Sequence, residues 1–260
     1  MTKKALVTGA GTRLGRAMAV RLAEMGHDVA IHYATSAAGA EETAAEVRAL
    51  GRNAVTLQAD LLDEAQVQAL LPAAAEALGG AITCLVNNAS IFEYDNIRTA
   101  TRDSWDRHIE SNLRAPFVLT QALAKQAPDP AEDARGEPVA QAVVINMIDQ
   151  RVRKLTPEFS SYTIAKMGLW ALTQTAAQGL APKVRVNAIG PGPTLQGHRQ
   201  SDSHFDRQRK STILHRGSNP EDIVTALTFL VESPAVTGQL ICVDGGQHLG
   251  WQTPDILGVE

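Results

Sequence analysis

The sequence predicts a doubly wound α/β fold, in which helices cover both faces of a parallel sheet of about seven strands. Short apolar runs alternate with longer, alanine-rich runs of helical character along the whole chain. The apolar runs are nearly continuous, which is typical of strands that are buried on both faces. Glycines follow the first three helical runs, at Gly26, Gly51 and Gly79, where a left-handed helix cap is favoured. The predicted class is therefore a Rossmann-like fold.

The first half of the chain supplies four strands and three helices in alternation. The strands are predicted at residues 4–8, 28–33, 53–60 and 82–88, and the helices at residues 14–25, 37–50 and 63–78. A helix that returns the chain between two parallel strands gives a right-handed crossover. This βαβ series predicts that all four strands lie parallel in one sheet.

The second half continues the alternation and completes a single domain over residues 1–260. Helices are predicted at residues 102–126, 159–180 and 220–231, and strands at residues 141–148, 184–190 and 238–246. Residues 127–138 are rich in proline and charge, so they are predicted to form a flexible surface insertion. Residues 191–217 are polar, lack clear periodicity and are too long for a simple connector, so we interpret them as a substrate lid. Residues 247–260 form a C-terminal tail.

Composition and charge favour a cytoplasmic globular protein. The chain is 44% hydrophobic and 20% charged, which is ordinary for a globular domain, and its net charge of -4 offers no basic patch to nucleic acid. We find neither an N-terminal signal segment nor a run of about 18 apolar residues, so no membrane span is expected. Cys84 and Cys242 lie in apolar, strand-like runs and are expected to be buried, reduced thiols. No metal site is expected.

A glycine-rich turn joins the first strand to the first helix. Gly9, Gly11 and Gly15 lie in the run TGAGTRLG, residues 8–15. Glycines in such a turn let the backbone approach a pyrophosphate closely, and the following helix N-terminus favours the anion. A lone glycine triad is weak support, but this one follows a strand, precedes a helix and belongs to a longer βαβ series. The turn therefore predicts a dinucleotide site.

The end of the second strand favours NADPH over NADH. An NAD-specific site places an acidic residue there to bind the ribose 2′-hydroxyl, but no Asp or Glu occurs at residues 29–40. His32 and Ser36, with the nearby Arg13, are instead candidates to bind a 2′-phosphate. In the alternative interpretation, His32 and Tyr33 only end the strand.

Tyr162 and Lys166 form the candidate catalytic pair. They lie four residues apart in a predicted helix and so share one face of it. A phenol has a pKa of about 10, which is too high for efficient proton exchange at neutral pH. A neighbouring ammonium group is expected to favour the phenolate and lower that pKa toward the working range. The spacing therefore predicts acid–base chemistry at Tyr162.

Five ordered motifs resemble those of the short-chain dehydrogenases/reductases. They are TGAGTRLG (8–15), NNAS (87–90), Asn112, YTIAK (162–166) and NAIGPGPT (187–194), and they span essentially the whole chain. The resemblance implies that Lys166 also holds the nicotinamide ribose and that Asn112 helps to carry a water-linked proton relay. It also implies a serine, about 13 residues before the tyrosine, that bonds the substrate carbonyl oxygen.

Asp149 stands at that serine position, and no serine or threonine lies at residues 145–155. An ionised carboxylate would oppose the negative charge that develops on a reduced carbonyl oxygen. Reduction of a C=N bond has the opposite need, because a proton must be delivered as hydride adds. An Asp149 carboxyl bonded to Tyr162 is able to supply that proton if it is protonated or relays one from water. In the alternative interpretation, Asp149 is a solvated strand-end residue without a role.

This departure narrows the resemblance to the pteridine reductases, including the bacterial dihydromonapterin reductases. They share an arginine in the glycine turn, an HY pair followed closely by serine, NNAS with a nearby aromatic residue, and Asp-Tyr-Lys in place of Ser-Tyr-Lys. The resemblance implies that Arg13 contacts cofactor phosphate and the pterin, that Ser90 bonds the ligand, and that Phe92 stacks on the pterin ring. Phe92 has the alternative of being plain core. Asp60 resembles the adenine-binding position.

The residues assigned to the sites follow from these patterns. The candidate cofactor-binding residues are Gly9, Gly11, Arg13, Leu14, Gly15, His32, Tyr33, Ser36, Asp60, Leu61, Asn88, Ala89, Ser90, Lys166, Pro191 and Gly192. The candidate substrate-binding residues are Arg13, Ser90, Phe92, Asp149 and Tyr162, and the candidate catalytic residues are Asp149, Tyr162, Lys166 and Asn112.

Two segments depart from the pteridine reductase pattern. Ala34 replaces the basic residue that can follow the HY pair, so the 2′-phosphate is expected to rest on other groups. Residues 194–210 match no substrate-specific pattern, and their histidines and arginines form either a solvated face or a site for an acidic substrate tail. C-terminal segments of this family often pack at tetramer interfaces, so Trp251 is a candidate to reach a neighbouring active site.

The sequence thus predicts an NADPH-dependent reductase of a pterin, from dihydropterin to tetrahydropterin, that works as a homotetramer. The first alternative is an NADPH-dependent carbonyl reductase that acts on a sugar, an acyl thioester or another ketone. The second is a sensor or scaffold that binds the cofactor without turnover, although a protein that only binds has little use for the Tyr162–Lys166 pair.

Overall fold

A seven-stranded parallel sheet forms the centre of the molecule in the computed structural model, which describes residues 3–197 and 200–252. Its strand order is β3-β2-β1-β4-β7-β8-β9. The strands are β1 (Lys3–Val7), β2 (His27–Tyr33), β3 (Ala54–Gln58), β4 (Cys84–Asn87), β7 (Ala142–Met147), β8 (Val184–Pro191) and β9 (Leu240–Val243). The sheet grows outward from β1 in one direction and from β4 in the other. The predicted doubly wound parallel sheet is confirmed.

Eight α-helices connect the strands within the described residues. They are α1 (Arg13–Glu24), α2 (Ala37–Ala49), α3 (Glu64–Ala77), α4 (Arg102–Ile109), α5 (Ala115–Gln126), α6 (Ser160–Leu180), α7 (Asp202–Lys210) and α8 (Pro220–Glu232). Short 3-10 turns follow β7 (Gln150–Arg153) and β9 (Gln247–Leu249). Six of the eight helices start within about three residues of a predicted helix start.

The two faces of the sheet carry separate apolar cores. On β1, Val7 packs with Met18 and Leu22 of α1 and Leu227 of α8, whereas Leu6 packs on the opposite face. That opposite core also holds the buried leucines of α3 and α5. Successive strand residues point to opposite faces, so a strand buried on both must be apolar throughout. This explains the continuous apolar runs of the sequence.

The predicted helix over residues 102–126 is interrupted by one wider turn. A π-helical turn, Glu110–Arg114, separates α4 from α5 and contains Asn112. Single π turns within α-helices are common at functional sites. The interruption carries no glycine or proline within the turn itself, so periodicity did not reveal it.

Residues 127–138 contribute a small antiparallel hairpin that the sequence did not predict. Its strands are β5 (Ala131–Glu132) and β6 (Pro138–Val139), and most of its residues are exposed. Two-residue strands are too short to show an alternation of apolar and polar residues. Only the proline and charge content of the segment was therefore informative. Its position as a surface insertion is clear, and its flexibility stays a prediction.

The segment interpreted as a lid contains a helix that the sequence did not predict, and its role as a lid stays a prediction. In α7, Ser201 caps the N-terminus because its hydroxyl accepts the amide proton of His204. The helix has no buried residue, and Phe205 is its single apolar side chain, so it lacks the apolar stripe that marks a helix in sequence. Residues 198 and 199 of the lid and residues 253–260 of the tail lie outside the described residues.

Buried amides support the strand ends that lead into the cleft. The Asn87 side chain donates to Asn146 Oδ1 at 2.8 Å, and Asn146 Nδ2 donates to Thr173 Oγ1 at 2.9 Å. These side chains belong to β4, β7 and α6, and all three are buried. A buried polar chain of this kind fixes one mutual arrangement of its elements, because each unpaired group would be costly.

None of the helices described is both long and apolar enough to cross a membrane. The described residues also contain no group of three or more His, Cys, Asp or Glu side chains arranged to hold a metal ion.

Folding stability is expected to fall as the pH drops from 6.5 to about 4, through His27. This side chain is 2% exposed and its ring Nδ1 bonds the Leu22 carbonyl, while burial, aided by the charge of Lys3, lowers its pKa to about 4. As the pH falls, His27 is therefore protonated in the unfolded chain before it is protonated in the folded chain. The stabilisation that His27 provides above pH 6.5 is lost as the pH falls toward 4. The loss from this one residue is about 3 kcal/mol.

Urea unfolding at a series of pH values measures this loss. His27→Asn keeps a donor to Leu22 but does not titrate, so it should remove part of the acid slope. The interpretation is wrong if this variant and the wild type lose the same free energy of unfolding over that pH range.

Candidate active site

The turn between β1 and α1 is packed so closely that glycine is required within it. A Cβ on Gly15 would lie 2.1 Å from the Gly9 carbonyl oxygen. Gly9 itself has φ +62, and a Cβ on Gly11 would lie 3.1 Å from the Ser36 carbonyl oxygen. The backbone of this turn therefore lies open to a ligand at the N-terminus of α1, as a bound pyrophosphate needs.

Arg13 occupies a backbone conformation that favours glycine. Its φ is +54, in the left-handed region, where a non-glycine residue costs of the order of 1–3 kcal/mol. Its guanidinium group reaches the lid, where it donates to the carbonyls of Leu195 (3.1 Å) and Gln196 (2.9 Å). The side chain therefore links the cofactor turn to the first part of the lid.

His32 does not reach a phosphate site, which corrects the prediction that it binds the 2′-phosphate directly. The ring is buried beneath the turn, where Nδ1 accepts from the Gly9 amide at 3.1 Å and Nε2 bonds the Ala59 carbonyl at 3.1 Å. Nδ1 must be unprotonated to accept, and burial lowers the pKa of His32 accordingly. His32 therefore supports the turn from below.

The loop after β2 offers hydroxyls and backbone but no carboxylate. Ser36 begins α2, and Tyr33 is half-buried against the core. Asp28 sits at the other end of β2, where it accepts the Asn53 amide, and Glu41 accepts from Thr56. A negatively charged 2′-phosphate would therefore meet no acidic side chain in the loop over residues 34–36.

The end of β4 is bonded to the glycine turn. The Asn88 side chain donates to the carbonyls of Thr8 (2.8 Å) and Gly9 (3.1 Å), and the amide of Ala89 donates to Thr8 Oγ1 (3.0 Å). Leu61 is buried beneath the end of β3, and Asp60 is exposed with its carboxylate accepting the Leu62 amide. These predicted cofactor residues line one edge of the sheet.

A cleft of about 510 Å³ opens above these strand ends and gathers both predicted sites. The predicted residues that line it are Gly9, Arg13, Leu14, Gly15, Asn88, Ala89, Ser90, Phe92, Asp149, Pro191 and Gly192. The lid contributes Leu195, Gln200, Phe205 and Gln208 to the opposite wall. The volume suits a ligand of coenzyme or drug size.

Asp149 and Tyr162 are joined at the floor of the cleft. The Tyr162 hydroxyl donates to Asp149 Oδ2 at 3.0 Å, and Asp149 Oδ1 accepts the Arg151 amide at 2.8 Å. Lys166 is buried one turn further along α6, and its ammonium donates to the Met147 carbonyl at 2.8 Å. Asp149 is therefore partly buried and bonded on both carboxylate oxygens, and its role stays a prediction.

Burial, rather than the ammonium group, controls the protonation of this cluster. It raises the pKa of Tyr162 well above 10, aided by the negative charge of Asp149, so the expected lowering of that pKa by Lys166 is wrong in this state. Burial also raises the pKa of Asp149 and lowers the pKa of Lys166 to about 8. Tyr162 is consequently a neutral phenol that donates its proton to the Asp149 side chain.

Both polar atoms of the Asn112 side chain bond the backbone of Ile91. Its Oδ1 accepts the Ile91 amide at 2.9 Å, and its Nδ2 donates to the Ile91 carbonyl at 2.8 Å. Its amide group therefore positions the segment that carries Ser90 and Phe92. A water-linked relay through Asn112 stays a prediction.

Phe92 faces the cleft, which excludes the plain-core alternative. It is 48% exposed, stacks on Phe159 with ring centroids 4.4 Å apart, and meets Tyr162 edge-on at 4.7 Å. Phe159 was missed from the sequence because it lies at the predicted start of a helix, where nothing but its aromatic character distinguishes it. Arg151, whose guanidinium lies over the Phe159 ring, was also missed from the sequence.

Known proteins share this arrangement of strands and turn. A family described as "Enoyl-(Acyl carrier protein) reductase" matches residues 9–248. The 3-oxoacyl-(acyl-carrier-protein) reductase FabG of Staphylococcus aureus is 31% identical over 96% of this chain and 99% of its own length.

Two solved structures extend the likeness. FolM Alternative dihydrofolate reductase 1 from Brucella suis, in complex with NADP, is 41% identical, with a TM-score of 0.90 over 98% of each chain. A short chain dehydrogenase from Burkholderia cenocepacia, also in complex with NADP, is 32% identical, with a TM-score of 0.85 over 94% of this chain and 97% of its own. The chain belongs to the short-chain dehydrogenase/reductase family.

Proposed function

We propose that this protein is an NADPH-dependent reductase of a pterin, which it converts from the dihydro to the tetrahydro form. The observation that carries the proposal is the part-buried hydrogen bond between Tyr162 and Asp149, at the position where the family places a serine. A carboxyl group bonded to a neutral phenol suits proton delivery to a ring nitrogen better than it suits stabilisation of an alkoxide.

The glycine turn and the loop after β2 fit NADPH. Glycine at position 15 lets the first turn of α1 pack against the Gly9 carbonyl, which fixes the compact turn at the helix N-terminus, and the loop over residues 34–36 offers no acidic side chain. Ser36 and Arg13 are the groups placed to meet the 2′-phosphate. When bound, the cofactor supplies the hydride, and the two solved relatives in complex with NADP support this assignment.

Proton transfer then falls to this chain's own residues. Hydride addition to the carbon of a C=N bond leaves a negative nitrogen, which one proton neutralises. The Tyr162 hydroxyl donates that proton, and Asp149, 3.0 Å away, relays one from water back to Tyr162. Lys166, bonded to the Met147 carbonyl, would hold the nicotinamide ribose.

The walls of the cleft suit a flat heteroaromatic ring. Phe92 offers an exposed aromatic face at the mouth, and Ser90 offers a hydroxyl beside Tyr162. Arg13 projects from the opposite side of the cleft toward the lid. The Brucella FolM relative, described as an alternative dihydrofolate reductase, supports this substrate class.

The runner-up is an NADPH-dependent carbonyl reductase that acts on an acyl thioester, a sugar or another ketone. The likeness to the FabG reductase of Staphylococcus aureus favours it as directly as the FolM likeness favours a pterin. In that case Asp149 would be an incidental substitution. A non-catalytic sensor is disfavoured because it would not need the buried Tyr162–Lys166 arrangement.

We also propose a cytoplasmic homotetramer. Cys84 and Cys242 carry free thiols, as expected of a reducing compartment. Ile164 on α6 and Phe229 on α8 are large apolar side chains about half exposed, and they suit burial between subunits. Trp251 is 60% exposed and free to pack against a neighbouring subunit.

The proposed reaction is tested by rapid-mixing measurements of NADPH oxidation with dihydrobiopterin or dihydromonapterin. Asp149→Ser restores the family's usual residue, so we expect kcat/KM for the pterin to fall about ten-fold or more while that for a 3-oxoacyl thioester rises. Asp63→Ser is the matched control, because it also removes one carboxylate but keeps the N-cap of α3 and should leave both activities unchanged.

Turnover of the thioester without turnover of either pterin would establish the runner-up instead. An Asp149→Ser enzyme that reduces pterins at the wild-type rate would remove Asp149 from proton delivery.

Replacing Arg13 with glycine separates its backbone strain from its function. Arg13→Gly should keep or raise the free energy of unfolding, since glycine adopts φ +54 without strain, yet lower kcat/KM for pterin reduction by about ten-fold. Arg16→Ala is the control, because it removes an equal charge from the same helix but breaks only exposed ion pairs with Glu42 and Glu46. Chemical denaturation and steady-state kinetics measure both effects. Equal losses of activity in the two variants would mean that Arg13 contributes only its positive charge.

A further inference from the structure

Three buried polar side chains from three elements meet behind Tyr162. Asp95 comes from the loop after β4, His108 from α4 and Ser161 from α6, and none is more than 2% exposed. His108 Nδ1 bonds Ser161 Oγ at 2.7 Å, and the Ser161 hydroxyl donates to Asp95 Oδ2. We call these three residues the buried triad. None of the proposed chemistry uses them.

The contacts fix where each proton of the buried triad lies. The backbone amide of Glu93 donates to His108 Nε2 at 3.1 Å, so that nitrogen is an acceptor and the ring proton sits on Nδ1. His108 therefore donates to Ser161, and Ser161 in turn donates to Asp95. The chain of donors ends on a carboxylate, which accepts only.

Asp95 is held as a carboxylate by several donors. The Ser104 hydroxyl donates to its Oδ2 at 3.0 Å, and the Ser161 amide donates to its Oδ1 at 3.1 Å. Although burial acts to raise its pKa, the hydrogen bonds from Ser161 and Ser104 hold the pKa of Asp95 below its usual value. An amide side chain at this position would turn one of these acceptors into a donor and oppose the network.

Asp95 also caps α6, the helix that carries Tyr162. The residue before this helix, Phe159, has φ +58 and provides no side-chain cap. The backbone carbonyl of Asp95 accepts the Phe159 amide at 2.7 Å, while its carboxylate accepts the Ser161 amide. The loop after β4 therefore satisfies the first amides of the catalytic helix, which helix ends otherwise leave unpaired.

The same loop carries the substrate wall. At its start, Asn112 binds both the amide and the carbonyl of Ile91, and further along His108 accepts the amide of Glu93 while Ser161 donates its amide to Asp95. Phe92 lies between these two anchors, and its ring contacts Tyr162 edge-on. The distance between the ring-stacking wall and the proton donor is therefore set by the two anchors.

We propose that Asp95, Ser161 and His108 are positioning residues, which hold the wall carrying Phe92 in register with Tyr162 through one ordered chain of hydrogen bonds. The inference rests on the proposed role of Tyr162 as proton donor. In this proposal the buried triad affects the geometry of the bound substrate and does not affect cofactor binding.

Ser161→Ala tests this proposal, with Thr173→Val as the control. Both variants remove a buried hydroxyl of α6 that makes two hydrogen bonds, but Thr173 lies just over three turns, about 18 Å, further along the helix. Each variant is expected to lower thermal stability by a similar amount. We expect Ser161→Ala alone to lower kcat about ten-fold and raise KM for the dihydropterin several-fold, with the Kd for NADPH within about two-fold of wild type.

Hydrogen exchange supplies a readout that does not depend on the reaction. In Ser161→Ala and Asp95→Asn, the amide of Glu93 should exchange about ten-fold faster or more, whereas Thr173→Val should leave its exchange unchanged. If the wild type does not reduce dihydropterins, the proposed function is overturned but this inference still stands. The same comparison of kcat and KM is then made with a 3-oxoacyl thioester as the substrate. Wild-type kcat and KM in Ser161→Ala, or unchanged exchange at Glu93, would overturn the inference.

Discussion

The hydrogen bonds between the ends of β1 and β4 are the constraint on which the site depends. Thr8 Oγ1 accepts the amides of Asn88 and Ala89, and the Asn88 side chain returns two bonds to the turn. These strands are neighbours, yet the chain leaves them toward helices on opposite faces of the sheet, α1 and α5. A crevice must open where the winding reverses, and ligands of doubly wound sheets bind in such crevices. The glycine turn, Ser90, Phe92 and Asp149 all border that one opening, and Tyr162 contacts both Phe92 and Asp149.

Burial changes how the residues next to the crevice titrate. In water a carboxyl and a phenol differ widely in pKa. Burial raises the pKa of Asp149 and that of Tyr162, while the pKa of Lys166 falls to about 8. Tyr162 therefore keeps its proton and donates it to Asp149, so a proton is in place for the proposed reaction, which consumes one.

Most of the fold could be predicted from the sequence. Helices cover both faces of the seven-stranded sheet, so its strands are apolar throughout, and glycines mark the ends of the first three helices. The sequence also predicted eleven of the residues that line the cleft, since their types follow from the phosphate turn and the strand-end motifs, but it missed Arg151 and did not single out lid residues such as Phe205. It failed where tertiary contacts decide. Its pattern assigned His32 to the phosphate, but the ring is turned beneath Gly9. Helix α7 stays attached through Arg209, which donates to the carbonyls of Pro193 and Ser218, and no apolar stripe announces it. The buried triad was invisible because its members come from three separate elements.

Backbone strain occurs at two positions, Arg13 and Phe159. Both have φ near +55, and each stands at the start of a helix, α1 and α6 respectively. Such residues persist only where the surrounding structure holds them in place. At Arg13 the hold comes from two lid carbonyls, and at Phe159 from Asp95 together with stacking on Phe92. A glycine at position 13 would relax the turn but lose its connection to the lid, so the strain at Arg13 is offset by contacts that glycine cannot make.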